Sequence, residues 1–409
     1  MIRIIFQIAV FTLFMNPAFS KDKSKNPIVF LLTEDISGPF KNSGTSDLNG
    51  IIDSLEDFIS ENKKLLGRDI VYFHVDTPSP DSVKNLSEFI KKQKVAFIIG
   101  AINSSTADAI AKIAQKMGII FFNTNSSSPK QSGVDCHRTK FVWDGSGSNF
   151  MRALVSYVPK KNKGRFTLLY SDYDWGINTS NVIKDFVLER GHEVAAEIKV
   201  PLGQKDFSDY IESLKGTRAD GIFAAVAGED IIFLNQQREG IPLAPFYFNQ
   251  ADYPDVYLSP RIENGIFATT WYHKLPLAGI REFVEKFKKR HKNSILPVPG
   301  NIYYNGYMAT KVLLESIKKL ETTDNHALIG YLEKWRSSKK ERMQDFDAYM
   351  DQKNHHVQQA VYVVKTKKEK EKGDIFEIIK KIRPEEIVDT DSREKCRLES
   401  MESTRRFVP

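Results

Sequence analysis

Short apolar runs alternate with amphipathic stretches along the first part of the chain. The runs 28–32 and 95–99 are almost wholly apolar, which is typical of strands covered on both faces, whereas 48–62 carries apolar residues at helical spacing. The predicted strands are 28–32, 70–75, 95–99 and 119–122, and the predicted helices between and after them are 48–62, 82–92 and 104–117. A strict alternation of strands and helices predicts a parallel, doubly wound sheet.

The same alternation begins again at residue 165. The predicted strands are 165–169, 193–200, 221–226, 246–248 and 265–268, and the predicted helices are 178–190, 207–214, 230–237, 277–291, 303–319 and 325–336. The tail adds a strand at 360–364 and an apolar stretch at 375–379, with the Lys/Glu run 365–372 predicted as a loop or hairpin turn. The fold class predicted is therefore α/β, with two similar lobes, each built on a doubly wound parallel sheet.

Residues 1–20 have the pattern of a secretory signal peptide. Arg3 precedes an apolar run at 4–15, and Asn16-Pro17 and the small residues around Ala18 and Ser20 follow it. The apolar run has about 12 residues, too few to span a bilayer core of roughly 30 Å, so a retained membrane anchor is the weaker alternative. We expect export, and hence a periplasmic protein.

Composition changes this picture little. The 409 residues are 41% hydrophobic and 27% charged, which is ordinary for globular domains, and roughly 150 residues per domain predicts two or three of them. The net charge of +7 arises from 59 Lys and Arg against 52 Asp and Glu, mixed along the chain rather than clustered beside aromatics. No nucleic-acid partner is expected.

Export gives the two cysteines a meaning. Cys136 and Cys396 are an even pair in a compartment that favours disulfides, although two unpaired thiols remain an alternative. Two cysteines this far apart do not by themselves make a tetrahedral metal site.

The sequence contains no nucleotide-binding P-loop, metalloprotease helix motif or nucleophile elbow. Gly145-Ser146-Gly147 lacks the third glycine of a dinucleotide fingerprint, and His355-His356 is interpreted as a surface pair rather than two metal ligands. We therefore expect neither an enzyme nor a bound metal or cofactor.

Small polar residues follow two neighbouring predicted strands. Residues 100–105 come after the strand 95–99 and open a helix, and residues 125–128 come after the next strand. Ligands of open α/β sheets bind outside the carboxyl ends of strands, and a helix N-terminus suits an anion. Ser104 and Ser105, like Thr106, could equally be plain helix caps.

Several segments in order resemble the type I periplasmic solute-binding proteins of the branched-chain amino acid (Leu/Ile/Val-binding) family, which serve ABC transporters. The matching segments are 31–39 with its Ser-Gly-Pro ending, 95–106, 117–120, 170–176 with Asp-Trp-Gly, and 204–208 with Asp-Phe-Ser. A subfamily has one Cys after the second Ser-rich loop and one near the C-terminus. Cys136 and Cys396 occupy those places, so the resemblance implies that they form a disulfide.

The resemblance also implies a domain organisation. Two lobes would be joined by three crossovers, near residues 145, 271 and 349. Lobe 1 would comprise 27–145 and 272–348, and lobe 2 would comprise 146–271 and 349–398. The lobes are expected to close on a ligand between them.

Carried onto matching positions, the resemblance implies a ligand site. Ser104, Asn125 and Ser127 would hold a ligand carboxylate, Ile102 and Asn103 would add backbone contacts, and Trp175 would cover the ligand from the second lobe unless it is a core residue. The full predicted ligand-binding set is Ile102, Asn103, Ser104, Ser105, Asn125, Ser127, Trp175, Gln250 and Asp252.

Departures from the family concern the ligand. The acidic residue that pairs an α-ammonium group aligns with Gln250, with Asp252 two residues later, and an ammonium would be unnecessary if Asp252 does not reach the ligand. The early-loop aromatic residue is missing, with Ser43 near its place. The ligand is therefore left open among amino acids, amides, urea and small carboxylates.

The predicted function is the periplasmic solute-binding component of an ABC uptake transporter. The protein, expected to be a monomer, would capture a small polar solute by lobe closure and deliver it to permease subunits in the inner membrane. The alternative is a periplasmic sensor that presents bound solute to a membrane receptor.

Overall fold

The structure is a computed structural model that describes residues 26–155, 158, 163–259, 265–371 and 373–409. The predicted signal peptide, residues 1–20, lies outside the described residues. In the described ranges, no helix is both long and apolar enough to cross a membrane.

Strands and helices alternate over most of the described chain. In chain order the strands are β1 (Ile28–Glu34), β2 (Ile70–Asp76), β3 (Phe97–Gly100), β4 (Ile120–Asn123), β5 (Lys140–Val142), β6 (Arg165–Ser171), β7 (Glu193–Val200), β8 (Gly221–Ala225), β9 (Phe246–Phe248), β10 (Gly265–Thr269), β11 (Arg336–Ser337), β12 (Ala348–Asp351), β13 (His356–Gln358), β14 (Val361–Glu371) and β15 (Asp374–Ile382). The helices are α1 (Lys41–Asn62), α2 (Leu86–Gln93), α3 (Ser104–Met117), α4 (Gly147–Val155), α5 (Asp174–Glu189), α6 (Ser208–Thr217), α7 (Asp230–Gln237), α8 (Tyr253–Leu258), α9 (Ile280–Arg290), α10 (Asn301–Leu320), α11 (Asn325–Leu332), α12 (Lys339–Arg342) and α13 (Thr390–Lys395).

Two sheets organise these elements. The first sheet has eight strands in the order β11-β12-β13-β5-β4-β3-β1-β2, and the second has seven in the order β15-β14-β10-β9-β8-β6-β7. The pairings from β13 through β5, β4, β3 and β1 to β2 are parallel, as are those from β10 through β9, β8 and β6 to β7. Antiparallel pairs form one edge of each sheet. The predicted fold class, α/β with two parallel-sheet units, is confirmed.

Alternate residues of the central strands enter different cores. In β1, Ile28 and Leu32 pack against α1, whereas Val29 and Leu31 pack in a second core that includes Ile110 of α3. Successive side chains of a strand point to opposite faces, so a strand buried on both faces must be apolar throughout. This requirement explains why the apolar runs predicted the strands.

The chain passes between the sheets three times. The first passage lies between β5 and β6 and the second between β10 and β11, in the regions predicted around residues 145 and 271. The third was predicted near 349, but it lies between Gln358 and Val361, because β12 and β13 pair within the first sheet. Residues 349–358, predicted as part of lobe 2, therefore belong to the first sheet.

Two local predictions are corrected. The Lys/Glu run 365–372, predicted as a loop or hairpin turn, lies mostly within β14, where Lys365 pairs with β10 on one side and with Glu377 of β15 on the other. The predicted surface pair His355-His356 is buried: His355 stacks on Phe141 with ring centroids 4.4 Å apart, and Nε2 of His356 lies 2.7 Å from the backbone oxygen of Asp144. Tertiary pairing outweighs local composition in both places.

The two cysteines are joined. Cys136 follows a short helical turn, and Cys396 follows α13, with 5.7 Å between their Cα atoms and a disulfide between their side chains. The predicted disulfide is confirmed, and neither of the two cysteines of the chain is free.

Candidate functional site

A small cleft with a free volume of about 20 Å³ lies where loops at the carboxyl ends of both parallel sheets meet. Open α/β sheets bind ligands at this edge. The lining residues are Phe40, Ile102, Ser104, Asn125, Ser127, Tyr173, Trp175, Val226, Ala227, Gly228, Ile231, Gln250, Asp252 and Asp255.

The loop between β3 and α3 forms one part of the first wall. Asn103, not Ser104 or Ser105, is the N-cap of α3, and its Oδ1 accepts from the backbone N–H groups of Ser105 at 3.0 Å and Thr106 at 3.3 Å. Ser104 Oγ faces the cleft and accepts from the N–H of Ser128 at 3.3 Å, which leaves its hydroxyl proton for another acceptor.

The loop after β4 forms the rest of that wall, and its polar side chains already have partners. Asn125 Nδ2 donates to the backbone oxygen of Ile302 at 3.2 Å, and its Oδ1 accepts from Asn305 at 2.9 Å. Ser127 Oγ donates across the cleft to Gln250 Oε1 at 2.6 Å. Asn125 therefore connects its loop to α10, and Ser127 connects the two walls of the cleft.

The second wall begins where β6 ends. Trp175 is the second residue of α5, lines the cleft and is 5% exposed, and its Nε1 has no hydrogen-bond partner among the described residues. The helix begins this close to the strand because residue 176 is glycine: a Cβ at Gly176 would lie 2.0 Å from the backbone oxygen of Ser171. A buried indole N–H normally has an acceptor.

The two walls touch, so the cleft is closed. The rings of Phe40 and Tyr173 lie 5.6 Å apart, and the N–H of Glu229 donates to the backbone oxygen of Pro39 at 2.9 Å. Gly228 has a φ of +61°, and a Cβ there would lie 2.5 Å from that same oxygen. Only glycine combines this backbone conformation with so close an approach.

A buried network ties the three passages between the sheets together. Gln344 Nε2 donates to the backbone oxygen of Thr270 at 2.8 Å, and Gln359 Nε2 donates to that of Trp143 at 2.7 Å. Arg342 joins the two, since its Nη2 donates to Gln359 Oε1 at 2.5 Å and its guanidinium lies 4.9 Å from the Trp143 ring. Each of the three connecting segments is therefore bonded to the same cluster.

Seven of the nine predicted ligand-binding residues line this cleft. They are Ile102, Ser104, Asn125, Ser127, Trp175, Gln250 and Asp252. Asn103 and Ser105 do not line it: Asn103 caps α3, and Ser105 supplies one of the capped N–H groups. Asp252 lines the cleft. A ligand without an ammonium group was expected only if Asp252 did not reach the ligand, so this argument against an ammonium group no longer applies.

Sequence reasoning missed Phe40, Tyr173 and Asp255. Phe40, three residues before Ser43, places an aromatic residue in the lining of the cleft. The Ser-Gly-Pro motif that immediately precedes Phe40 was a signal for it. No pattern in the sequence singled out Asp255.

Residues 27–373 match the family described as periplasmic binding protein. The chain belongs to this family. The family and the structural relatives below are solute-binding proteins, not enzymes.

Among curated proteins, this periplasmic binding protein is similar to "Leu/Ile/Val-binding protein homolog 6" of Brucella abortus. The two are 26% identical over 223 residues, which are 53% of this chain and 54% of that protein. It is also 19% identical over 211 residues to the "Leu/Ile/Val-binding protein" of Citrobacter freundii, covering 51% of this chain and 55% of the other. The chain thus spans about half the length of the curated relatives it matches.

Among solved structures, the fold is similar to that of the Leu-, Ile-, Val-, Thr- and Ala-binding protein from Brucella ovis in its closed conformation. The TM-score is 0.77 at 17% identity, with 91% of this chain and 99% of that chain covered. A solute-binding protein from Rhodopseudomonas palustris in complex with 3,4-dihydroxybenzoic acid has a TM-score of 0.77 at 20% identity, covering 88% and 98%. These likenesses show a common fold.

Three carboxyl groups surround the cleft of this periplasmic binding protein. Burial raises the pKa of Asp144 to about 7 and that of Asp255 to about 6. Burial, followed by the charges of Asp255 and Asp144, raises the pKa of Asp252 well above its usual value, and Asp252 Oδ1 is shielded from solvent with no donor among the described residues. In the described ranges, no three or more His, Cys, Asp or Glu side chains are arranged to hold a metal ion.

Two further carboxyls lie beneath the ligand loops. Thr124 Oγ1 donates to Asp47 Oδ2 at 2.5 Å and lies 3.4 Å from Glu34 Oε1. A Cβ at Gly100 would lie 2.5 Å from the same Glu34 oxygen, so this pair supports both loops of the first wall. Burial raises the pKa of Glu34 well above its usual value and that of Asp47 from 3.8 to about 6.

The raised pKa values of Glu34 and Asp47 imply that the stability of the protein depends on pH. A buried acid with a raised pKa binds its proton more tightly in the folded state, so its stabilising contribution is complete below pH 3.8 and is lost as the pH rises to about 6. Asp47→Asn keeps a neutral group at every pH. We expect the unfolding free energy of the wild type, relative to this variant, to fall across that window in urea titrations. The exposed Asp209→Asn is the control, and a wild-type profile parallel to that of Asp47→Asn would contradict the prediction.

Proposed function

We propose that this periplasmic binding protein captures a small polar solute in the cleft and delivers it to the permease of an ABC uptake transporter. One observation carries the proposal: two residues that line the closed cleft, Trp175 and Asp252, each have a shielded polar atom, Nε1 and Oδ1, without a partner among the described residues. Unsatisfied buried polar atoms are costly in a folded protein, and a bound solute would satisfy them.

The arrangement of the two sheets supports a mechanism of lobe closure. Lobe 1 would be built on the first sheet and lobe 2 on the second, and the passages held by Arg342, Gln344 and Gln359 would act as the hinge. In the closed form, Ser127 and Gln250 are bonded across the cleft and Lys130 Nζ lies 3.2 Å from Asp174 Oδ1. Opening would break these contacts and admit the solute.

The class of solute is supported only coarsely by the relatives. The matching curated proteins are named for leucine, isoleucine and valine, and one similar structure holds 3,4-dihydroxybenzoic acid. The aromatic residues Phe40, Tyr173 and Trp175 supply flat apolar walls, and Ser104 and Asp252 supply polar contacts. A small solute with both apolar and hydrogen-bonding parts fits such walls.

The remaining parts of the proposal follow from the family. We infer export through residues 1–20, a periplasmic location and a monomer that docks on permease subunits. A sensor that presents the solute to a membrane receptor uses the same cleft. Loss of uptake of the identified solute when the gene is deleted supports transport, whereas unchanged uptake with a lost transcriptional response indicates sensing.

The binding role is tested with two tryptophan variants. Trp175→Phe keeps an aromatic ring but removes the N–H donor, so we expect the affinity for the solute to fall by about 0.5–1.5 kcal/mol with little change in stability. Thermal unfolding against a panel of amino acids, amides and aromatic acids identifies the solute, and calorimetry then measures the affinity of each variant. A solute at 100 times its dissociation constant stabilises the protein by about 2.7 kcal/mol.

The control is Trp335→Phe, which changes a buried tryptophan outside the cleft. We expect this variant to retain the wild-type affinity. Equal affinities of the wild type and Trp175→Phe would show that Trp175 does not contact the solute. If the purified protein neither binds nor retains any compound, the binding role itself is contradicted.

A further inference from the structure

The residues that line the cleft include two carboxyl groups and no basic side chain. Asp252 and Asp255 are among them, and none of the fourteen lining residues is lysine, arginine or histidine. The chain as a whole has the opposite balance, with a net charge of +7. The acidic character is therefore a property of the cleft rather than of the protein.

Asp255 is held in place by neutral donors from the opposite wall. Asn42 Nδ2 donates to Asp255 Oδ1 at 2.9 Å and Ser43 Oγ donates to Asp255 Oδ2 at 2.8 Å. The neighbouring Lys41 forms its ion pair with Glu229, at 3.0 Å. Asp255 is thus fixed in position, while the nearby cation has another partner.

Asp144 extends the acidic region behind Gln250. Its two oxygens accept from Gln250 at 2.7 Å, Asn305 at 2.9 Å and Thr270 at 3.1 Å, all of them neutral groups. Three carboxyl groups, including the unpartnered Asp252, therefore face or flank the cleft without an ion-pair partner in the described residues. Bringing carboxylates together away from water is unfavourable unless a cation or bound protons compensate their charge.

Part of the donor capacity of the first wall is already used. Asn125 Nδ2 donates one of its two N–H groups to Ile302, and the single hydroxyl proton of Ser127 is donated to Gln250. Two donors are left for the solute, the hydroxyl of Ser104 and Nε1 of Trp175. Trp175 is 5% exposed, and its Nε1 has no partner among the described residues. Two such donors suit a neutral acceptor, such as a hydroxyl or carbonyl oxygen.

The aromatic walls favour the same sign of charge. Phe40, Tyr173 and Trp175 line the cleft. The ring centroids of Phe40 and Tyr173 lie 5.6 Å apart, and those of Tyr173 and Trp175 lie 6.2 Å apart. A cation over the face of an aromatic ring is attracted by its quadrupole, and an anion is repelled.

We propose that the solute of this cleft carries a net positive charge, with an ammonium, amidinium or guanidinium group against Asp252 and Asp255. This inference rests on the proposed solute-binding function. Trp175 and Ser104 would contact a neutral oxygen on the same solute. The cation would balance the carboxylates that the protein itself leaves uncompensated.

The test compares compounds of similar size and different charge. The purified protein is titrated with putrescine, agmatine, choline and arginine as cations, leucine and glutamine as zwitterions, acetamide as a neutral compound, and benzoate and succinate as anions. We expect one or more cations to raise the unfolding temperature and to bind in calorimetry, with the zwitterions and anions weaker by roughly tenfold or more.

A matched pair of variants locates the effect. Asp252→Asn should weaken binding of the best cation by at least roughly tenfold, because it removes one charge of the pair while keeping the shape. The exposed Asp209→Asn removes the same charge far from the lining residues and should leave the affinity unchanged.

The outcomes separate this inference from the binding role. If only a zwitterionic, neutral or anionic compound binds, the positive charge of the solute is wrong and the solute-binding function stands. If no cation of the panel binds, the inference is also overturned, and native mass spectrometry for a small molecule retained by the purified protein then decides whether the binding role survives.

Discussion

Replacing both Cys136 and Cys396 by serine is expected to lower the free energy of unfolding by about 2–5 kcal/mol. The disulfide closes a loop across a sequence separation of 260 residues and fastens the C-terminal segment to the first sheet. A cross-link of this span removes many conformations of the unfolded chain, which raises the free energy of the unfolded state relative to the folded one.

Hydrogen bonds beside the disulfide remain in that variant. Ser392 Oγ donates to the backbone oxygen of Pro129 at 3.0 Å, and Arg138 Nε donates to that of Glu399 at 2.7 Å. We therefore expect the double variant to fold with the same secondary structure but to unfold at lower urea concentration. Reducing agent should bring the wild type to the stability of the variant and leave the variant unchanged, and equal stabilities without reductant would contradict the prediction.

The second large effect is expected at the crossing of α1 and α10. Gly50 has no room for a side chain: a Cβ there would lie 2.2 Å from the backbone oxygen of Tyr303 and 3.1 Å from the nitrogen of Tyr307. Because these contacts are with the backbone of another helix, no side-chain rotation relieves them. Gly50→Ala should therefore force the helices apart and cost about 3 kcal/mol, the upper end of the usual penalty for overpacking.

Gly330→Ala is the matched control. Gly330 also lies inside a helix, α11, but a Cβ there would meet nothing within 4 Å. Because alanine favours the helix by up to about 1 kcal/mol, this variant should be slightly more stable than the wild type. In urea titrations we expect the unfolding free energy to fall in Gly50→Ala and to rise slightly in Gly330→Ala. If Gly50→Ala does not lose stability, the close helix contact is contradicted.

The strands show how far apolar patterning reaches. The run 28–32 became β1, Ile28–Glu34, and the run 246–248 became β9 with the same bounds. Such strands are covered on both faces, so every position must be apolar and the pattern is visible in the sequence. The short strands β11, β12 and β13 at one end of the first sheet were not predicted, because pairing with their neighbours in the sheet stabilises them.

Helix starts were harder to predict where polar residues are buried. The first turns of α1 contain Ser43 and Asp47, which look like a loop in sequence but are buried in the structure. Ser43 bonds to Asp255 and Asp47 bonds to Thr124, so each polar group has a partner that is distant in sequence. Local composition carries no record of such partners.

The candidate site divides in the same way. Ser104, Asn125 and Ser127 were predicted because small polar residues follow neighbouring parallel strands, and such loops meet at one edge of a sheet. Trp175 and Gln250 were predicted through the family resemblance. Asp255 and Tyr173 were missed, because their place in the cleft depends on how the second sheet closes on the first.

The sequence by itself determined the α/β alternation, the two parallel sheets and the strand ends at which the cleft forms, because these follow from short-range periodicity and the burial of both strand faces. Tertiary structure alone decided that Phe40 meets Tyr173, that Asn42 and Ser43 hold Asp255, and that none of the residues lining the cleft is basic. These contacts join residues that lie far apart in sequence, and their energies depend on burial and distance, which exist only once the two sheets have come together.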